Sequence, residues 1–141
     1  MRIAITEMSN EALLRGLIDA LPAYVFLVDE DVSILDYNAA AATLLGSDRK
    51  RVLRHRGGDA LHCIHATDSP DGCGRGPFCE SCLVRQSVKE AFTGSRVVRR
   101  RVQMELTSAG EVNPLNVLLT ASPFDYRGHR HVVLVLEDVS S

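Results

Sequence analysis

The residues best equipped for chemistry are Cys63, Cys73, Cys79 and Cys82, which are all the cysteines of the 141-residue chain. Nine residues separate the first two, five the next two and two the last two. Four thiolates without oxygen donors suit tetrahedral zinc or an iron–sulfur cluster. Structural zinc sites more often pair two CxxC knuckles, and this chain has one. Cubane clusters accept scattered single ligands, so the spacing leans towards iron–sulfur and leaves zinc open. A disulfide staple, or a cysteine-held loop with no signalling role, is the plainer alternative. In a reducing compartment, clustered cysteines are more often ligands or redox-active thiols.

The elements around the cysteines bear on that choice. "CESCLVRQSVKEAFTG" places Leu83, Val84, Val88, Ala91 and Phe92 at helical spacing and ends in Gly94. This predicts a helix beginning near Cys79 to Cys82. A CxxC there sets both sulfurs on one side, and the helix N-terminus, with its free N–H groups, favours the thiolate form that metals require. Gly72, Gly74 and Gly76 let the preceding loop fold close, returning Cys73 to the pair. His62 and His65 flank Cys63 and are expected as solvated groups or hydrogen-bond partners of the ligands rather than as ligands.

Towards the N-terminus, residues 8–21 carry Leu13, Leu14, Leu17, Ile18 and Leu21 on one helical face, with Ser9 or Asn10 as N-cap and Pro22 as the stop. "AYVFLVDEDVSILDYN" reads as a β-hairpin around Asp29, Glu30 and Asp31. Asn38 then caps an alanine-rich helix closed by Gly46. Residues 47–77 are glycine-rich and irregular. A structureless stretch of that length in a small domain points to function or disorder. After the helix that follows, "SRVVRRRVQMEL", "NPLNVLLTASPF" and "HRHVVLVLEDV" read as three strands. In the first, two-residue alternation puts Val98, Val102, Met104 and Leu106 on one face, with Arg100 intruding, and Val97, Arg99, Arg101, Gln103 and Glu105 on the other. The last is apolar on both faces, as befits a central strand.

This succession, with "LIDALPAYVFLVDEDVSILDYNAAAATLLG" and the closing "HVVLVLEDVS", resembles a PAS domain, a sensory module of bacterial signalling proteins, over residues 11–139. The resemblance implies an α+β fold. Its five-stranded antiparallel sheet has the order 2-1-5-4-3, and the helices pack on one face to enclose a ligand cavity. Residues 24–28 and 131–136 become central strands. Residues 56–85 resemble a PAS subgroup with a cysteine-rich insert before the long helix. The expected organisation is an N-terminal amphipathic helix over 1–21, serving as cap or dimer contact, and a PAS domain over 22–141 with its insert at 56–82.

Composition and the remaining motifs narrow the function. Sixteen basic and 18 acidic side chains give a net charge of -2, so nucleic acid is not an expected partner. The four arginines of residues 96–101 lack interleaved aromatics and read as a solvated or acid-paired face. No apolar run approaches the roughly 20 residues a membrane helix needs, and no signal peptide follows Met1, so a cytoplasmic protein without membrane contact is expected. No phosphate-binding glycine loop, nucleophile pair or carboxylate pair is present, and the expectation is a non-enzyme. The flavin-adduct motif of light-sensing PAS relatives is missing around residues 58–66, and the helix over 82–92 has no histidine to serve as a haem axial ligand. His129 is expected at the surface, and so is His131, although it could face the cavity.

Two readings therefore stand. In one, Cys63, Cys73, Cys79 and Cys82 bind an iron–sulfur cluster or zinc and report redox or oxygen state. In the other, the cysteines are structural and a small molecule binds in the core cavity, with Tyr24, Ser33, Tyr37, Thr120 and Ser122 as polar contacts. Either way a homodimer through the first helix is expected, because its leucine face is wider than one sheet contact requires. With no kinase, cyclase or DNA-binding segment in the sequence, the signal must pass to an output domain or a partner signalling protein.

Overall fold

The computed structural model describes residues 10–45, 82–108 and 111–139. The first helix, α1 (Asn10–Asp19), ends two residues before the predicted 21, and the backbone of Asn10 is helical; residues 8 and 9 of the prediction lie outside the described residues. Leu13 and Ile18 are half-buried, whereas Leu14 and Leu17 are each 60% exposed and Leu21 47%. Polar contacts hold the helix in place. Arg15 pairs with Asp36 at 2.6 Å and donates to the Tyr37 carbonyl at 2.9 Å.

The predicted hairpin forms as β1 (Tyr24–Val28) and β2 (Ile34–Tyr37), with Phe26 opposite Tyr37. Asp29 closes its turn, since its Oδ1 accepts the backbone N–H groups of Asp31 and Ser33, each at 2.9 Å. Buried Val32 sits there at φ 61°, a left-handed conformation unusual for a β-branched residue. Asn38 caps α2 (Ala39–Leu45), as its sequence position suggests, through Ala41 N–H to Asn38 Oδ1 at 3.0 Å.

Beyond residues 46–81 lie α3 (Leu83–Phe92), β3 (Val97–Ser108), β4 (Glu111–Tyr126) and β5 (His129–Asp138). The strands make one antiparallel sheet in the order β2-β1-β5-β4-β3, as the resemblance implied, and β5 is its centre. The β4–β5 hairpin turns through Arg127 at φ 51° and Gly128 at φ 78°, the paired left-handed residues that suit the twist of a two-residue hairpin.

The register assigns the faces. Phe26, Val28, Val117, Leu119, Ala121, Val132, Leu134 and Leu136 point to one side and form the core with Ala41 of α2 and Val88 and Ala91 of α3. Both helices therefore cover the same face, α2 over β1 and α3 over β3, β4 and β5. Leu27, Leu118, Val133 and Val135 are on the other face and only half-buried, so β5 is less thoroughly covered on that side than its apolar sequence suggests.

The alternation expected for β3 fails at its start. Val97 pairs with Ala121 but Arg100 pairs with Leu119, so β3 spends one extra residue, a β-bulge, with Arg99 at φ 49°. The bulge turns Val97 inwards, 6% exposed, and leaves Val98 62% exposed. Thr120 Oγ1 accepts the Arg99 N–H at 3.1 Å and steadies it.

Candidate functional site at the start of the α3 helix

Cys82 stands at the N-cap of α3, with φ -64° and ψ 117°. The helix begins at Leu83, one residue beyond the span Cys79 to Cys82 near which the sequence predicts its start. Its carbonyl accepts the Gln86 N–H at 2.9 Å, the first helical bond. Its side chain makes no capping hydrogen bond. The residue is half-buried, and its thiol is free of any disulfide among the described residues. Ser, Thr, Asp and Asn are the usual N-caps because their oxygens accept an otherwise orphaned helix N–H. Cys82 leaves that role open. Cys63, Cys73 and Cys79 lie outside the described residues, as do His62 and His65. Among the described residues no three potential ligands come together.

Three arginines and a glycine anchor the helix by other contacts. Arg85, one turn into α3 and 9% exposed, pairs through Nη1 with Asp31 Oδ1 at 2.8 Å, and its Nη2 donates to the Asp31 carbonyl at 3.3 Å. The start of α3 is thereby tied to the β1–β2 turn. Arg100 reaches from β3 to Ser87 Oγ at 3.0 Å and Glu90 at 2.5 Å, and this guanidinium holds the Glu90 carboxyl below its usual range. The arginine that intrudes on the core side of β3 is thus accommodated by an ion pair with the helix above it. At the far end Gly94, at φ 100°, closes the helix: its N–H bonds to Ala91 O and that of Ser95 to Glu90 O, each at 3.0 Å. Arg130 of β5 adds a bond to the Phe92 carbonyl at 3.0 Å and, by pairing with Asp125, lowers that carboxyl's pKa.

Sequence reasoning missed Arg85 and Asp31, although a signal was present. Arg85 falls three residues before Val88 within the stripe of Val84, Val88, Ala91 and Phe92, where only a paired arginine could be buried.

The five proposed cavity contacts are not brought together. Tyr24 and Tyr37 pack on the core side. Ser33 lies in the β1–β2 turn, its backbone bonded to Asp29. Thr120 and Ser122 pair with Val135 and Val133 and so face the opposite side of the sheet, because Val117, Leu119 and Ala121 take the inward positions of β4. A groove of about 660 Å³, lined in part by Arg101, Gln103, Asn116 and Val139, lies elsewhere, towards the β3–β4 hairpin. His129 is exposed, and His131 is on the outer face opposite Phe124 rather than in the core, with its Nδ1 buried and unpartnered.

Comparison with known proteins agrees with this architecture. A family model described as "PAS domain" matches residues 12–78, from α1 through α2 and beyond. The PAS domain of nitrogen regulation protein NR(II) from Vibrio parahaemolyticus is similar in structure at TM-score 0.60 and 15% identity, over 94% of this chain and 100% of that one. The PAS domain of an HTR-like protein from Haloarcula marismortui aligns at TM-score 0.57 and 17% identity, over 92% of this chain and 96% of that one. A domain of a sensory box sensor histidine kinase/response regulator from Geobacter sulfurreducens gives TM-score 0.59 and 17% identity, over 91% and 93%. No curated protein matches the sequence. Strand order, helix placement and family model together define the class: this chain is folded as a PAS domain. Among the described residues no helix is long and apolar enough to cross a membrane.

Proposed function

We propose that this PAS domain is a sensory signal-transduction module in which Cys63, Cys73, Cys79 and Cys82 hold an iron–sulfur cluster or zinc and report redox or oxygen state. The observation that carries the reading is Cys82: a sulfur at a helix N-terminus, half-buried and uncommitted to capping. That chemistry fits a thiolate ligand as far as the described residues reach. An iron–sulfur cluster supplies a centre that oxygen or oxidation alters, whereas zinc supplies a cross-link. The chain's own part is mechanical. A displacement of Cys82 moves the first turn of α3, and Arg85 passes the strain to Asp31 and the β1–β2 hairpin, while Arg100 and Arg130 pass it to β3 and β5.

The output is an attached domain or partner signalling protein in the cytoplasm. Solved relatives with this fold include a domain from a two-component sensor histidine kinase. The unit is organised as an N-terminal helix over 1–21 and a PAS domain over 22–141, without enzymatic activity of its own. The exposed Leu14, Leu17 and Leu21 support pairing of two copies through α1. Purification under anaerobic conditions, with absorbance and metal analysis, tests the cysteine reading. A coloured protein carrying iron and sulfide is expected; zinc in a colourless protein selects the structural branch, and a metal-free protein overturns both. A small molecule bound in the core cavity, with the cysteines structural only, is the alternative that the last result would favour.

A further inference from the structure

We propose that the free edge of β3 takes up an extended acidic segment of a partner protein as a sixth strand, with carboxylates alternating with apolar residues. β3 ends the sheet order, so among the described residues nothing pairs with its second edge. From Arg100 to Ser108 it keeps regular register with β4, leaving a straight run of backbone for an added strand. Along that run Val102, Met104 and Leu106 alternate with Arg101, Gln103 and Glu105, so an added strand would set apolar residues beside the first series and polar ones beside the second.

Charge selects the partner. Arg96, Arg99 and Arg101 are all exposed, although the whole chain carries -2. The Arg99 contact with Glu137, at 3.6 Å with both side chains largely exposed, neutralises little of this. Arg96 and Arg101 have no acidic partner among the described residues. The bulge, with Arg99 in a conformation L side chains rarely adopt, gathers exposed Val98 and Arg99 ahead of Arg101 into one basic, partly apolar cluster. Charges and bulges on an edge also discourage unwanted pairing. Here the charges at the residue 96–101 end are of one sign, so an acidic strand is admitted there.

Titrating the isotopically labelled full chain with an octapeptide of alternating Glu and Val, followed by NMR, tests this. Shifts should concentrate on residues 99–106, and affinity should fall about tenfold between 50 and 300 mM salt, as expected of exposed charges. Arg99→Glu with Arg101→Glu should weaken the Glu/Val peptide at least about tenfold and admit a Lys/Val peptide instead, the reversal expected when charge sets specificity. A peptide N-methylated on its pairing side should not bind, since strand addition needs those N–H groups. Several results would overturn the proposal. These are absence of binding, shifts centred on Leu27 and Val133, undiminished binding of the N-methylated peptide, stronger perturbation of the same residues by an oligothymidylate, or self-association through β3.

Discussion

At the start of α2, Asn38 commits every polar atom of its side chain. Oδ1 accepts from Val25 and Ala41, each at 3.0 Å, and Nδ2 donates to the carbonyls of Ile18 at 2.8 Å and Ala23 at 2.9 Å. It is 1% exposed and joins α1, β1 and α2 in one knot. At the start of α3 the equivalent residue is Cys82, half-buried, with no capping bond. Both positions face the same problem of orphaned helix N–H groups. One is solved by the cap residue's own side chain and the other is not, and arginines anchor that second helix to the sheet and hairpin. A cap chosen for stability alone would have been Ser, Asp or Asn. The difference marks α2 as framework and is what the proposed ligand role of Cys82 rests on.

Replacing residues on each side of this contrast should break it unequally. Asn38→Ala removes a cap and strands the Val25 N–H and two carbonyls in a buried setting, and should cost about 2–4 kcal/mol in urea unfolding. Arg85→Met breaks the Asp31 contact, whose partners are 10% and 32% exposed, and should cost about 1–2 kcal/mol. Hydrogen exchange should rise in the first turn of α3 and in residues 29–33 and stay unchanged around Asn38. Cys82→Ser should do the reverse in protein stripped of metal, raising stability by about 0.5–1 kcal/mol, because serine caps where cysteine does not. A loss in that variant would mean the thiol is a structural part of the fold.

The smallest effect concerns pH. Glu90 is held below its ordinary pKa by Arg100, so its contribution to stability is present above the unfolded value and is lost as pH falls through the folded one. Melting temperature should therefore decline on the acid side of the ordinary glutamate range, and Glu90→Gln should make that decline shallower. Asp125, held down by Arg130, adds a separate share with the same sign.

Much of the framework was legible because it rests on local rules. The hairpin around residues 29–31, the Asn38 cap, Gly94 as helix stop and the apolar run of β5 each follow from a residue's own chemistry and its near neighbours. The β3 bulge was not legible. Nothing in "RVVRRR" marks an extra residue, and only the demand that Val97 and Val102 both meet the core produces it. Polarity alone points Thr120 and Ser122 to a cavity, yet their parity relative to Leu119 and Ala121 sends them to the other face. For the site, sequence indicated that a helix starts beside Cys82, but its exact boundary, and with it the idle cap, depended on the fold around it.

The most direct measurement is the metal content of the wild-type chain and of Cys82→Ser, both prepared anaerobically, with circular dichroism to follow the fold. Metal should be present in the wild type and absent or strongly reduced in the variant, while the two spectra show the same sheet and helix content. Equal metal in both, or none in either, would contradict the role assigned to Cys82.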